Sequence, residues 1–273
     1  MLRSVGKRGF TLVELLVVVA VIALLLGLLL PALSKAREQG RLMVCLNNMR
    51  DITMAANSYA ADQDGLWPVM PCLVLPDGRP LFSSWQYGGK TTSDYWVSYG
   101  SGTFKRIDER PLNPYVAPDT ILKDPQPGER LELTTYRCPS DPGTLQRSFW
   151  NSNTIPDPRV TCYDDVGTSY HLNVQWWYNG AIPNNRGVST VKLWQRYSNM
   201  FKLANFQRPS LFAWNYDQTM DFVAVGGYNK LGDHGGHNRA TVSFMDGHVN
   251  YTEAKPKQLT SDDYTLTIDR KVY

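Results

Sequence analysis

The stretch "GKRGFTLVELL", residues 6–16, sets a carboxylate, Glu14, inside the apolar run that begins at Phe10. A charged side chain deep in a bilayer costs about 2.5–3.5 kcal/mol on insertion scales, so an acid kept there implies a job. Behind it, residues 15–30 ("LLVVVAVIALLLGLLL") are sixteen consecutive apolar positions. Phe10 to Leu30 supplies 20 residues besides Glu14, enough for a helix to cross a hydrocarbon core about 30 Å thick. Arg3, Lys7 and Arg8 precede the run, and a basic segment followed by such a run marks export to or across a membrane. Three readings compete: a secretory signal cut near Ala32-Leu33-Ser34, a plain signal anchor, and an anchor in which Glu14 has a function. Only the third accounts for the acid.

"KRGFTLVELL" resembles the leader of type IV prepilins and type II secretion pseudopilins. The resemblance implies a dedicated peptidase/methyltransferase that cuts after Gly9 and methylates the new terminus, Phe10. Glu14 then falls fifth in the mature chain, where that family keeps a glutamate, and Pro31 falls where it often has a helix-kinking proline. A freed Phe10 amine is positively charged near neutral pH. Glu14 of one subunit can pair with the Phe10 amine of a neighbour, and an unpaired acid penalises docking at the wrong height. Glu14 thus reads as a register device for assembly, with snorkelling at the membrane edge as the plainer alternative.

Beyond Pro31 the helix is expected to resume. Leu33, Ala36, Gly40, Met43, Leu46, Met49, Thr53, Ala56 and Tyr59 recur every three or four residues as an amphipathic stripe. "DQDG" (62–65) supplies a stop, and its likeness to the start of a calcium loop lacks the downstream glutamate. The expected division is a leader over 1–9, a transmembrane and spine helix over 10–61, and a β-rich head over 62–273. That is an α+β, pilin-like architecture.

The head differs in composition. All eight Trp lie at Trp67 or later and all 17 Pro at Pro31 or later. Formal net charge is +3, and removing residues 1–9 leaves 25 basic against 25 acidic groups. No basic stripe marks the body, so a nucleic-acid partner is not expected. "YWVSY" (95–99), "VQWWY" (174–178), "VKLW" (191–194), "LFAW" (211–214) and "FVAV" (222–225) read as short strands, and the Pro-rich 107–130 as ordered surface loops. Asp246-Gly247 reads as a two-residue hairpin turn pairing Met245 with His248 and Val242 with Tyr251.

"RCPSDP" (137–142), "TSYHLN" (168–173), "HNRATVSFMDGHV" (237–249) and the spine segment 45–68 resemble a prepilin-type, processing-associated group with a His–nine residues–Asp–Gly signature. Here His237 precedes Asp246 by eight intervening residues and His234 by eleven, so the spacing departs from that signature. Asp233, His234, His237, Asp246 and His248 are ligand-type side chains, but their spacing matches no established zinc pattern, and no cofactor is expected. No nucleophile elbow, phosphate loop or dinucleotide fingerprint occurs, and His171 reads as structural. Four cysteines allow three full pairings. Cys45 with Cys138 and Cys72 with Cys162 is one option, and a free Cys45 is another.

The expected function is a non-enzymatic pseudopilin or minor pilin, assembled with other pilin-like subunits from the bacterial inner membrane. Its head would be periplasmic or extracellular, and a type II secretion-like system is one machine considered. The alternative is a membrane-tethered module that binds a glycan or metal, or a metal-dependent enzyme on the same anchor.

Overall fold

The computed structural model describes residues 11–69, 71–74, 80–99, 103–147, 159–176 and 208–267. Gly9, Phe10 and the 191–194 segment lie outside them. The chain divides into two compact units, Met1–Gly40 and Arg41–Tyr273.

Helix α1 spans Leu12–Asp62 and carries Pro31 in its interior without ending there. In the first unit its apolar side chains are exposed; Leu12 is 78 % and Leu28 70 % accessible. Among the described residues, α1 is the helix long and apolar enough to cross a membrane. In the second unit one face of α1 is buried through Cys45, Met49, Ile52, Thr53 and Ala56. Met49, Thr53 and Ala56 belong to the expected stripe, whereas Met43 is exposed. The helix stops at the expected turn: Asp64 and Gly65 take positive φ (52° and 79°), and the Gly65 N–H reaches back to the Ala60 carbonyl at 2.6 Å.

The head is built on a four-stranded antiparallel sheet of order β3-β4-β5-β6, with β3 Tyr170–Leu172, β4 Ala213–Asp217, β5 Arg239–Phe244 and β6 Val249–Glu253. A separate antiparallel pair joins β1 (Pro71–Val74) to β2 (Pro80–Phe82). Apolar residues cover both faces of the larger sheet. On one side Cys45, Met49, Ile52 and Ala56 pack with Tyr170, Leu172 and Trp214. On the other, Ala240, Val242 and Phe244 pack with Tyr216, Met220, Val223 and Tyr264.

A bulge in β4 makes this division possible. Ala213 faces Phe244 and Asn215 faces Ser243, so Trp214 is the extra residue. The insertion lets Ala213 and Tyr216 both face one core while Trp214 turns to the spine. There its indole N–H donates to Thr53 Oγ1 (3.2 Å), and its ring lies 5.0 Å from that of Trp67.

Several expected strands are not strands. "YWVSY" lies in a 3₁₀ helix, Asp94–Tyr99, and strand pairing in "LFAW" starts only at Ala213. "FVAV" is helical: Asp217 caps a short helix, α4 (Gln218–Met220), by accepting from the Thr219 N–H, and a π-helical turn, Asp221–Val225, follows. The cap, invisible to hydrophobic periodicity, overrides β propensity. Residues 107–130 are not wholly surface either, since Ile107, Arg110, Leu112 and Asn113 are buried.

The hairpin forms, but its register differs by one residue. Val242 faces Asn250 and Ser243 faces Val249. The Gly247 N–H returns to the Phe244 carbonyl (3.0 Å) and the Phe244 N–H to that of His248 (3.0 Å). The connection is therefore a three-residue loop with Gly247 alone at positive φ (95°), because the Asp246 side chain carries a strain that only the glycine avoids.

Candidate functional site

The amino-terminal turn of α1 is organised by a reciprocal pair. The Thr11 N–H and hydroxyl both donate to Glu14 Oε2 at 2.8 Å, and the Glu14 N–H donates to Thr11 Oγ1 at 3.2 Å. This is a capping box, with Thr11 at the cap and Glu14 three residues on. Glu14 therefore satisfies helix-end donors within its own chain, a role that "T-x-x-E" encodes and that a charge-only reading misses. In lipid those donors would otherwise lack partners, at several kcal/mol each.

A second cluster lies inside the head. Cys45 from α1, Cys138 from "RCPSDP" and His234 from the loop before β5 are buried, with ligand-type atoms all within 4.8 Å of one another. The Cys45 and Cys138 sulfurs are 2.6 Å apart, and Cys138 Sγ is 3.4 Å from His234 Nε2. Local bonds set each member. The Cys138 N–H donates to Ser169 Oγ (3.0 Å), and Asn48, one turn beyond Cys45, donates to the Arg137 carbonyl (3.0 Å). The His234 ring meets Tyr251 edge-on at 6.1 Å. The Cys138 hydrogen bond, working against burial, draws the Cys45 thiol down to about 6. The same bond, then burial, pushes Cys138 up.

Of the ligand-type residues Asp233, His234, His237, Asp246 and His248, only His234 joins this cluster, where it meets the Cys45–Cys138 pair that was one of the options read from sequence. His237, Asp246 and His248 are exposed. His248 Nδ1 pairs with Asp246 Oδ1 at 2.6 Å, and its ring stacks on Phe244 at 4.1 Å, which ties both residues into the hairpin tip. Cys45 and Cys138 were legible only as cysteines in family-like segments. The side chain of Cys72 lies outside what the structure describes.

His171 is buried on β3 between Cys162 Sγ, 3.2 Å from Nε2, and Asp221 Oδ2, 3.1 Å from Nδ1. Thiol, imidazole and carboxylate in line are the parts of a nucleophilic relay. Here burial first, then the charges of Asp141, Asp165 and Asp233, push the Cys162 thiol well up. It is held protonated and inaccessible, the opposite of an activated cysteine. Asp221 is half-buried, and the Tyr216 hydroxyl donates to its other oxygen at 3.0 Å.

Asp233, beside His234, carries a testable charge. Burial first and the nearby Asp217 carboxylate next raise it to about 6, against relief from Lys230, whose Nζ is 3.3 Å away. The folded chain then holds this proton to higher pH than the unfolded chain. The group's contribution to stability is complete below the unfolded value near 3.8 and is lost as pH rises through 6. Asp233→Asn should match wild type at pH 4 and be the more stable of the two at pH 8. Denaturant titrations of the detergent-solubilised chain at both pH values measure this, and a wild type that stays ahead at pH 8 contradicts it.

A long, apolar, exposed amino-terminal helix and a head built around a four-stranded antiparallel sheet make an α+β, pilin-like arrangement, and sequence comparison gives the prepilin-like class. Residues 5–30 match the prokaryotic N-terminal methylation motif. Residues 34–208 match the family described as a protein of unknown function, DUF1559. The second match covers more than half of the chain, which belongs to that family. It stops before the segment that carries the His–Asp–Gly resemblance. No curated protein and no solved structure matches the chain.

Proposed function

We propose that the chain is a pseudopilin or minor pilin, cut between Gly9 and Phe10, methylated on Phe10, and assembled from the inner membrane into a fibre. Its partners are a prepilin peptidase/methyltransferase and other pilin-like subunits, with the 62–273 head in the periplasm or outside the cell. A type II secretion-like system is one machine this reading fits, and the head's role is structural rather than enzymatic. The observation that carries the proposal is the methylation motif at residues 5–30 on a helix whose first turns are apolar and exposed, with Glu14 in the opening turn.

Intact-mass analysis of protein from native membranes tests the processing step. The expected species lacks residues 1–9 and carries one added methyl group. A terminus at Lys35 would identify an ordinary secretory signal. An uncut chain would favour a simple tether, the anchor a membrane-bound binding module needs.

A further inference from the structure

We infer that Cys45 and Cys138 are joined in the mature protein by a disulfide that staples the spine segment of α1 to the head. The two sulfurs face each other at 2.6 Å with nothing between them, and Cys45 is fully buried and Cys138 2 % exposed. They are 93 residues apart in sequence. Cys45 lies on the buried face of α1 with Met49 and Ile52, and Cys138 on the segment packed against it. With His234 they also form a set of metal-ligand type, so the choice is between a bond and an ion. The sulfur separation favours the bond. Two thiolates on one tetrahedral zinc ion, each about 2.3 Å from the metal, stand about 3.8 Å apart. These sulfurs are more than an ångström closer, which leaves no room for an ion between them.

The chemistry balances with a protein disulfide as oxidant, by thiol–disulfide exchange. The Cys45 thiolate attacks the donor disulfide, forming a mixed disulfide and expelling one donor thiolate. The Cys138 sulfur then attacks Cys45 Sγ, giving up its proton to His234 Nε2, 3.4 Å away. The second donor sulfur leaves with the electron pair. Two thiols are oxidised to one disulfide, and the donor disulfide is reduced to a dithiol. The closed head shields both sulfurs, so the donor disulfide meets Cys45 while the core is still open, and the second step is completed as Cys138 and His234 close over it. The finished bond then resists reductants that reach only the surface. The inference requires an oxidising compartment and is independent of fibre assembly.

The test uses the full chain purified from its native membranes with no reductant. Alkylation in denaturant should leave Cys45 and Cys138 unmodified, and peptide mapping should recover them as one linked pair. Prior reduction in denaturant should make both reactive, whereas the same reductant applied to folded protein should not. Cys138→Ser should melt about 10 °C lower, as expected for opening so long a loop. Alkylation of both cysteines without reductant overturns the proposal, and so does stoichiometric zinc bound to unlinked thiols. For His234→Gln, refolded from reduced chain in a glutathione buffer, the bond should form several-fold more slowly. An unchanged rate overturns the role given to His234.

Discussion

Replacing Arg110 with methionine should cost the head about 3 kcal/mol of stability, a large share of the 5–15 kcal/mol a domain of ordinary stability possesses. Arg110 is 1 % exposed. It donates to the carbonyls of Trp85 (2.5 Å), Gly88 (2.6 Å) and Val166 (2.7 Å). Burial lowers its affinity for a proton to about 10, so it remains a cation at neutral pH. Replacing a buried ion pair by apolar residues can be neutral, because both charges leave together. Here the partners are backbone carbonyls, which stay behind. Methionine relieves the buried charge but strands three acceptors, and the stranded acceptors dominate. Val166 ends a short helix, α3 (Cys162–Val166), whose C-cap is Gly167 at φ 90°, so the guanidinium also sits at the negative end of a helix. Side-chain width matters as well: a Cβ on Gly167 would run into the Lys90 carbonyl and this guanidinium. Arg110→Lys should recover part of the loss, because an ammonium lacks the planar fork that reaches three carbonyls at once. Urea titrations followed by tryptophan fluorescence read both variants. A loss under about 1 kcal/mol for Arg110→Met would mean that water takes over the three acceptors.

The second large effect is expected at Glu14, and the capping box changes how it has to be tested. Glu14→Leu makes the anchor more apolar, so membrane insertion should be retained or improved. Incorporation into fibres should fall more than tenfold, because both the helix cap and the charge that pairs with a neighbour's Phe10 amine disappear. Glu14→Gln separates the two roles. Its amide oxygen can still accept from the Thr11 N–H, so the cap survives and the charge does not. Glu14→Asp keeps the charge on a shorter arm and should be partly defective. The readout is the ratio of sheared, fibre-associated protein to the membrane pool, with processing of each variant checked by mass. If Glu14→Gln assembles like wild type while Glu14→Leu fails, the acid acts as a cap alone. If Glu14→Leu is processed and assembles normally, the register role is lost and a simple tether becomes the better reading.

The amino-terminal quarter was legible because its signals are local. A basic leader, an apolar run and a turn placed α1 within two residues at its start and one at its end, although the Thr11–Glu14 cap went unread. The head was less so. Strands reveal themselves by alternation when one face is wet, yet β3 and β4 are buried throughout and β4 carries the bulge at Trp214, which breaks the alternation there. The helical turn over "FVAV" depends on a cap at Asp217, outside the apolar run itself. At the hairpin, Asp246-Gly247 gave the right place but the wrong register, since only Gly247 adopts positive φ. The buried cluster was read in two unconnected parts: Cys45 with Cys138 as one possible pair, and His234 beside His237 as a ligand type, since the three are distant in the chain and adjacent only after folding.

The bulge at Trp214 has a consequence for the order in which the chain can fold. Thr53 and the indole that meets it are 161 residues apart, and the spine's other sheet partners, Tyr170 and Leu172, also come late. On a ribosome the spine emerges first, and its apolar stripe is not fully covered until β4 has been made. Contacts of such separation form slowly, because closing the intervening loop comes before any gain from packing. Until then the stripe of Cys45, Met49, Ile52 and Ala56 is exposed to every other nascent chain nearby. A holding factor for this interval would recognise that stripe, and its binding should end when Trp214 docks.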